Sequence, residues 1–183
     1  MKKQMLIVGI ITLFICVELS GCLKPDINIQ NLEIKIHNLI NNERQSRGLS
    51  TLEYDYALAK IAGDHSEDMV IRNFFSHNNP DGLGPTDRAK MAGYNTYKDF
   101  GTYYMDGIGE NICQDNLLDT GYNICFVPLN DWKNENELAI SVVNSWITSP
   151  RHYQNIINPD CDREGIGIAI SSNDNVYVTQ DFW

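Results

Sequence analysis

The chain has 183 residues, 43% of them apolar and 21% charged, which is the balance of a packed protein and excludes disorder of the whole chain. Its net charge is −10, and no run of Lys or Arg interrupts the acidity, so a nucleic-acid-binding face is excluded as well. The length fits one domain.

Residues 1–21 read as a signal peptide of the lipoprotein type. Lys2 and Lys3 form a positive start, and Met5 to Val17 is nearly all apolar. Leu19-Ser20-Gly21-Cys22 has the form of a lipobox, in which Cys22 would carry lipid. The apolar stretch falls short of the roughly 20 residues of a comfortable membrane span. An uncleaved signal anchor is the alternative, and both readings predict export. The expected place is the outer face of the cytoplasmic membrane, or the medium if the chain is secreted. Residues 22–31 are expected to be a tether and residues 32–183 the folded domain. With Cys16 removed and Cys22 lipidated, Cys113, Cys125 and Cys161 remain. A disulfide is chemically permitted outside the cell. Cys113 with Cys125 would close a short loop; three reduced thiols are the alternative.

From Ile29 the apolar positions Ile29, Leu32, Ile36, Leu39 and Ile40 recur at helical spacing, and Gly48 ends that segment. A second helix is predicted from near Asp55 to Arg72, with Leu58, Ile61, Ala62, His65 and Met69 as its stripe. Pro85-Thr86-Asp87 opens a third, stopped by Gly93. Residues 95–109 are aromatic, polar and aperiodic, which predicts loop. Glu110 to Ile112 reads as a short strand, and Gln114 to Lys133 as an insertion without a period. Helix returns with Ala139, Val142, Val143 and Trp146. Ser149 then caps a short helix with Pro150 at its first position. After Pro159, Ile166, Ile168 and Ile170 alternate with Gly165, Gly167 and Ala169, and Asn173-Asp174-Asn175 turns the chain into a final strand from Val176 to Trp183. Glycine and alanine on one strand face predict the close approach of another element. The order of elements predicts an α+β sandwich on an antiparallel sheet.

Four histidines are present. His37 lies on the polar side of the first helix and is expected in solvent; His65, within an apolar stripe, is expected as a satisfied core residue. His77 and His152 sit at element boundaries, where side chains converge on clefts. His152 falls in the first turn of a helix, whose dipole disfavours imidazolium. A neutral imidazole is what a divalent metal needs. With Glu110 they would make a zinc-type set with an open position; a hydrogen-bonded structural cluster is the alternative.

Phe74-Phe75-Ser76-His77 with Pro80-Asp81-Gly82, then Gly109-Glu110-Asn111-Ile112, then Trp146 to His152 with Asn155-Ile156, resemble the ordered motifs of microbial CAP (SCP-type) domains. Gly165 to Ala169, the closing Val178 to Phe182, and the opening Asn41 to Arg44 with Gly48-Leu49 and Leu52 extend the resemblance over residues 32–183. It implies a three-layer α-β-α sandwich with an antiparallel central sheet and a cleft that carries two histidines and two glutamates in eukaryotic members. His77, Glu110 and His152 match three of the four, and Ser149 stands where the second carboxylate would be. The binding cleft implied is therefore His77, Glu110, His152 and Ser149, with His77 and His152 as metal ligands and a divalent cation such as zinc as the cofactor. Asn111, Gln154 and Asn155 are further polar candidates.

Three functions follow. The first is a membrane-tethered extracellular binding module whose partner is a lipid, a sterol-like molecule or a cell-surface component. The second is a hydrolase of peptidase or esterase type, with Ser149 and His152 one helical turn apart and Glu110 orienting a histidine. No Gly-x-Ser-x-Gly or His-Glu-x-x-His pattern supports it. The third is a structural or adhesive envelope domain, with residues 114–133 as its contact surface.

Overall fold

The computed structural model describes residues 24–122 and 128–183, with side chains described outside 120–130. The signal peptide, Cys22 and Cys125 lie outside the described residues. In chain order the elements are α1 (Ile29–Ser46), β1 (Glu53–Tyr54), α2 (Tyr56–Arg72), α3 (Pro85–Met91), β2 (Tyr97–Asp99) and β3 (Tyr104–Asp106). There follow β4 (Gly109–Asn116), β5 (Leu118–Tyr122), β6 (Pro128–Trp132), α4 (Glu135–Thr148), α5 (Pro150–Ile156), β7 (Arg163–Ile170) and β8 (Asn175–Phe182).

Local chemistry explains the helix ends. The Asn28 side chain accepts the Asn31 amide at the start of α1, and Asp55 accepts the Ala57 and Leu58 amides at the start of α2. Asn134 and Glu137 cap α4 reciprocally, each side chain accepting the other's backbone N–H. Asn73, at φ 52°, ends α2 in the left-handed conformation that asparagine tolerates.

A central sheet of order β1-β7-β8-β4 is antiparallel throughout except for the two-residue β1, which runs parallel to β7. On one face α1 and α4 bury Leu32, Ile36, Ile40, Val142 and Trp146 against Ile166, Ile168, Val176, Val178 and Phe182. On the other face α2 lies across β7 and β8. This is the three-layer α-β-α arrangement. Arg44, 1% exposed, extends the buried stripe of α1, and its guanidinium donates to the carbonyls of Ser50, Ile156, Asn158 and Cys161. It thereby fastens α1 to the end of α5 and the turn that follows.

Several expectations need correction. Residues 95–109 are not all loop: β2 and β3 form a hairpin, with Tyr97 stacked on Tyr104 at 5.5 Å. The strand expected at 110–112 runs from Gly109 to Asn116, and the aperiodic stretch after it contains the β5–β6 hairpin. His37 is not solvated; its Nδ1 lies 2.6 Å from the carboxylate of fully buried Glu164. The expected pairing of Cys113 with Cys125 involves a residue outside the described ones; Cys113 and Cys161 are buried and form no disulfide among the described residues.

The glycine face of β7 permits the close seating of α2. A Cβ built on Gly165 would run into the Leu58 and Ala59 backbone, and one on Gly167 into Gly63 and Ala62. These are main-chain obstacles, which cannot rotate away. Gly167→Ala should therefore lower stability by about 1–3 kcal/mol, the usual cost of overpacking. Thermal unfolding followed by circular dichroism would register this as a drop of roughly 3–10 °C.

Candidate functional site

β4 is the last strand of the sheet, and its second residue, Glu110, points to the face that carries α2. The Glu110 side chain is 1% exposed and has both oxygens engaged. Oε1 lies 2.7 Å from His77 Nδ1, and Oε2 pairs with the Arg88 guanidinium. Arg88 also donates to the carbonyls of His77 (2.8 Å) and Leu83 (3.1 Å). One arginine from α3 thus ties the segment before it to the sheet.

The His77 side chain is 48% exposed. With Nδ1–H donating to Glu110, Nε2 keeps its lone pair and makes no hydrogen bond among the described residues. A carboxylate fixing one nitrogen while the other stays available is the arrangement found behind metal-binding imidazoles. His152 is half-buried in the first turn of α5, and its Nδ1 has no partner. Burial is the main cause that pushes its pKa down, and His77 acts in the same direction.

α5 is seated on β4 through its polar side chains. Asn155 Nδ2 donates to the Glu110 carbonyl (3.1 Å) and to Asn111 Oδ1 (2.8 Å), while Asn111 Nδ2 donates to the His152 carbonyl (3.2 Å). Of the three extra polar candidates, Asn111 and Asn155 take part in this bonding; Gln154 is exposed. Ser149 occupies the N-cap position of α5, but its side chain makes no capping bond. Nor does a hydrogen bond join it to His152 among the described residues. Glu110 orients His77 instead of His152, so the Ser-His-Glu alignment required of the hydrolase is not assembled. Among the described residues no group of three or more His, Cys, Asp and Glu side chains is arranged to hold a metal.

The profile of CAP, the cysteine-rich secretory protein family, matches residues 37–182. The chain belongs to the CAP family. It is 31% identical over 146 residues to the uncharacterized protein YkwD of Bacillus subtilis, covering 80% of this chain and 46% of that one. The chain spans less than half the length of the curated relatives it matches. Among solved structures, an outer surface protein from Borrelia burgdorferi superposes with a TM-score of 0.62 at 19% identity, covering 87% of this chain and 97% of that one. NaASP2 with Zn2+ gives 0.51 at 16% identity, covering 87% and 83%. These two show a shared fold.

Two members of the cluster in this CAP domain escaped sequence reasoning. Arg88 is one cation in a short helix and carries no sequence mark of its role. Asp181 did leave a signal, a charge inside an otherwise buried closing strand. It pairs in register with Glu110, is 0% exposed, and neither of its oxygens has a hydrogen-bond partner. Burial and the adjacent Glu110 raise its pKa well above the usual carboxylate range. His65 is buried too, with Nε2 3.0 Å from the Ser76 carbonyl and its pKa lowered by burial; its Nδ1 is unpartnered, so it is only half satisfied.

Because the folded state holds the Asp181 proton more tightly than the unfolded state does, stability falls as pH rises from about 4, the unfolded carboxyl pKa, through the raised folded value. Asp181→Asn keeps the neutral form at every pH. Chemical denaturation across pH 4–8 should show the variant losing less stability than the wild type as pH rises. Parallel curves would contradict a buried, proton-retaining Asp181.

Proposed function

We propose that this chain is an exported CAP domain, held at the outer face of the cytoplasmic membrane through Cys22, that works as a binding module centred on His77 and His152. The observation that carries the reading is the fixing of His77 by Glu110. One nitrogen is committed and the other is left available, while burial favours the neutral form of the second imidazole, His152. No helix among the described residues is long and apolar enough to cross a membrane. The lipobox-like Leu19 to Cys22 supports a tether in the N-terminal segment, and the surface placement of the Borrelia burgdorferi protein supports an outward-facing domain.

A divalent cation such as zinc would be held by His77 and His152 alone, because both Glu110 oxygens are spent on His77 and Arg88. Two imidazoles fit a weak site whose remaining positions come from solvent or from the ligand itself. When bound, the cation would supply Lewis acidity toward an oxygen of that ligand. NaASP2, of similar fold, carries zinc by its own description, which supports the cation reading. The ligand class proposed is a lipid, a sterol-like molecule or a cell-surface component. The missing Ser149–His152 bond favours binding over hydrolysis.

A structural role is the second reading, favoured by the span of the Arg88–Glu110–His77 bonds from α3 to the sheet. Calorimetric titration with zinc separates the two. Under the binding reading the wild type takes up one equivalent, and the His77→Ala/His152→Ala double variant takes up none. Glu110→Gln should weaken uptake by about 10- to 100-fold, as loss of a carboxylate behind a histidine ligand does. If the wild type gives no heat, or the double variant binds equally, the cation site is wrong. A fall in melting temperature with no change in uptake would favour the structural role.

A further inference from the structure

A pocket whose lining includes neither His77 nor His152 opens between α2 and α3 with a volume of about 430 Å³. That volume lies within the range of small-molecule sites. Its lining combines two features that do not usually meet on a free surface. Ile71 and Met91, 71% and 73% exposed, stand in the lining with Leu83, an apolar wall facing water. Asp64, Glu67 and Asp68 follow one another on the same face of α2, spaced three and four residues apart, and also line the pocket.

The charge balance of this lining is negative. Arg88 is its one cation, and that charge is committed to Glu110. Asp64 pairs with Lys60 as an exposed i,i+4 pair of small energetic value, whereas the half-buried Asp68 is held by two Arg72 nitrogens at 2.7 Å each. Glu67 is exposed and has no ion pair among the described residues. Two polar members of the lining, His65 and Arg88, carry atoms without a hydrogen-bond partner among the described residues, His65 Nδ1 and Arg88 Nε. A small apolar pocket with polar atoms at its buried side and carboxylates beside it selects a ligand that is apolar in body and positive at one end.

We propose that this pocket binds a cationic amphiphile, an alkyl or otherwise apolar molecule bearing an ammonium group, with the ammonium beside Asp64, Glu67 and Asp68 and the apolar body over Ile71, Leu83 and Met91. The carboxylates oppose fatty acids and other anions at this pocket. Tetramethylammonium without a chain gains the charge contact but not the wall.

The probe is octyltrimethylammonium, titrated into the protein at neutral pH and followed by calorimetry and by amide chemical shifts. One-to-one binding is expected, with shifts confined to α2, α3 and the segment between them. Octanoate and tetramethylammonium should each bind about ten-fold more weakly or not at all, from loss of charge complementarity and of apolar burial respectively. Glu67→Lys and Met91→Ser change exposed side chains, so folding persists, as a melting curve verifies; each should weaken the probe by about three- to five-fold. The His77→Ala/His152→Ala double variant should bind the probe like the wild type, which keeps this proposal independent of the zinc site. Octanoate binding as tightly as the cation, shifts elsewhere on the domain, or wild-type affinity in both pocket variants would overturn it.

Discussion

The near-contact of two backbones, α2 against β7, governs the rest of this structure. Gly165 and Gly167 have no side chains to hold the helix off, so α2 descends onto β7 at main-chain distance. Seen across the sheet, the register turns that local fact into a gradient. Gly165 faces Asp181 on β8, and Asp181 faces Glu110 on β4. One row therefore runs from no side chain, through a sealed carboxyl, to a carboxylate that reaches His77 and Arg88. The next row runs from Gly167 through Thr179 to Ile112, and Ser66 of α2 bridges it by bonding both the Gly167 carbonyl and the Thr179 hydroxyl at 2.9 Å. The layer between α2 and the sheet is thin at β7 and deep enough for charged groups at β4.

That gradient also sets the electrostatics. Two carboxyl groups side by side in a buried layer cannot both be ionised cheaply. Arg88 pairs with Glu110 and not with Asp181, so the burden of neutrality falls on Asp181. A neutral carboxyl there adds no repulsion against Glu110, the acceptor that orients His77. A second buried acid on the opposite face is handled differently. Glu164 lies between His37 Nδ1 at 2.6 Å and Gln180 Nε2 at 2.5 Å, and Gln180 passes the network on to Asn111.

What could be read from the residues was whatever had a strong period or a local cap. α1, α2, α4 and the β7–β8 hairpin each combine an apolar repeat with capping or turn chemistry, and the Gly-x-Gly face announced the close helix. β1 has only two residues and no period to detect. The β2–β3 hairpin was illegible for a different reason. Its register sets Tyr97 opposite Asp106 and Asp99 opposite Tyr104, so one face alternates aromatic and acid and never shows an apolar stripe. His37 occupies a polar position on its own helix, but its partner comes from a strand 127 residues later. Ser149 was correctly placed at a helix start, yet position does not oblige the hydroxyl to bond. At the site, motif order pointed to His77, Glu110 and His152, while Arg88 and Asp181 depend on pairing that only the fold creates.

The location of the two imidazoles follows from β4 being an edge strand. Neighbouring residues on a strand face opposite ways, so Glu110 serves the α2 side while Asn111 serves the side of α4 and α5. His77 is recruited through the first and the His152 helix through the second, each by hydrogen bonds that begin on adjacent residues of one strand. In the middle of a sheet those two partners would be separated by the neighbouring strand. At the open edge no further strand among the described residues lies between the two layers. The arrangement needs only an edge strand whose successive side chains are an acid and an amide, the first holding His77 and the second the carbonyl of His152.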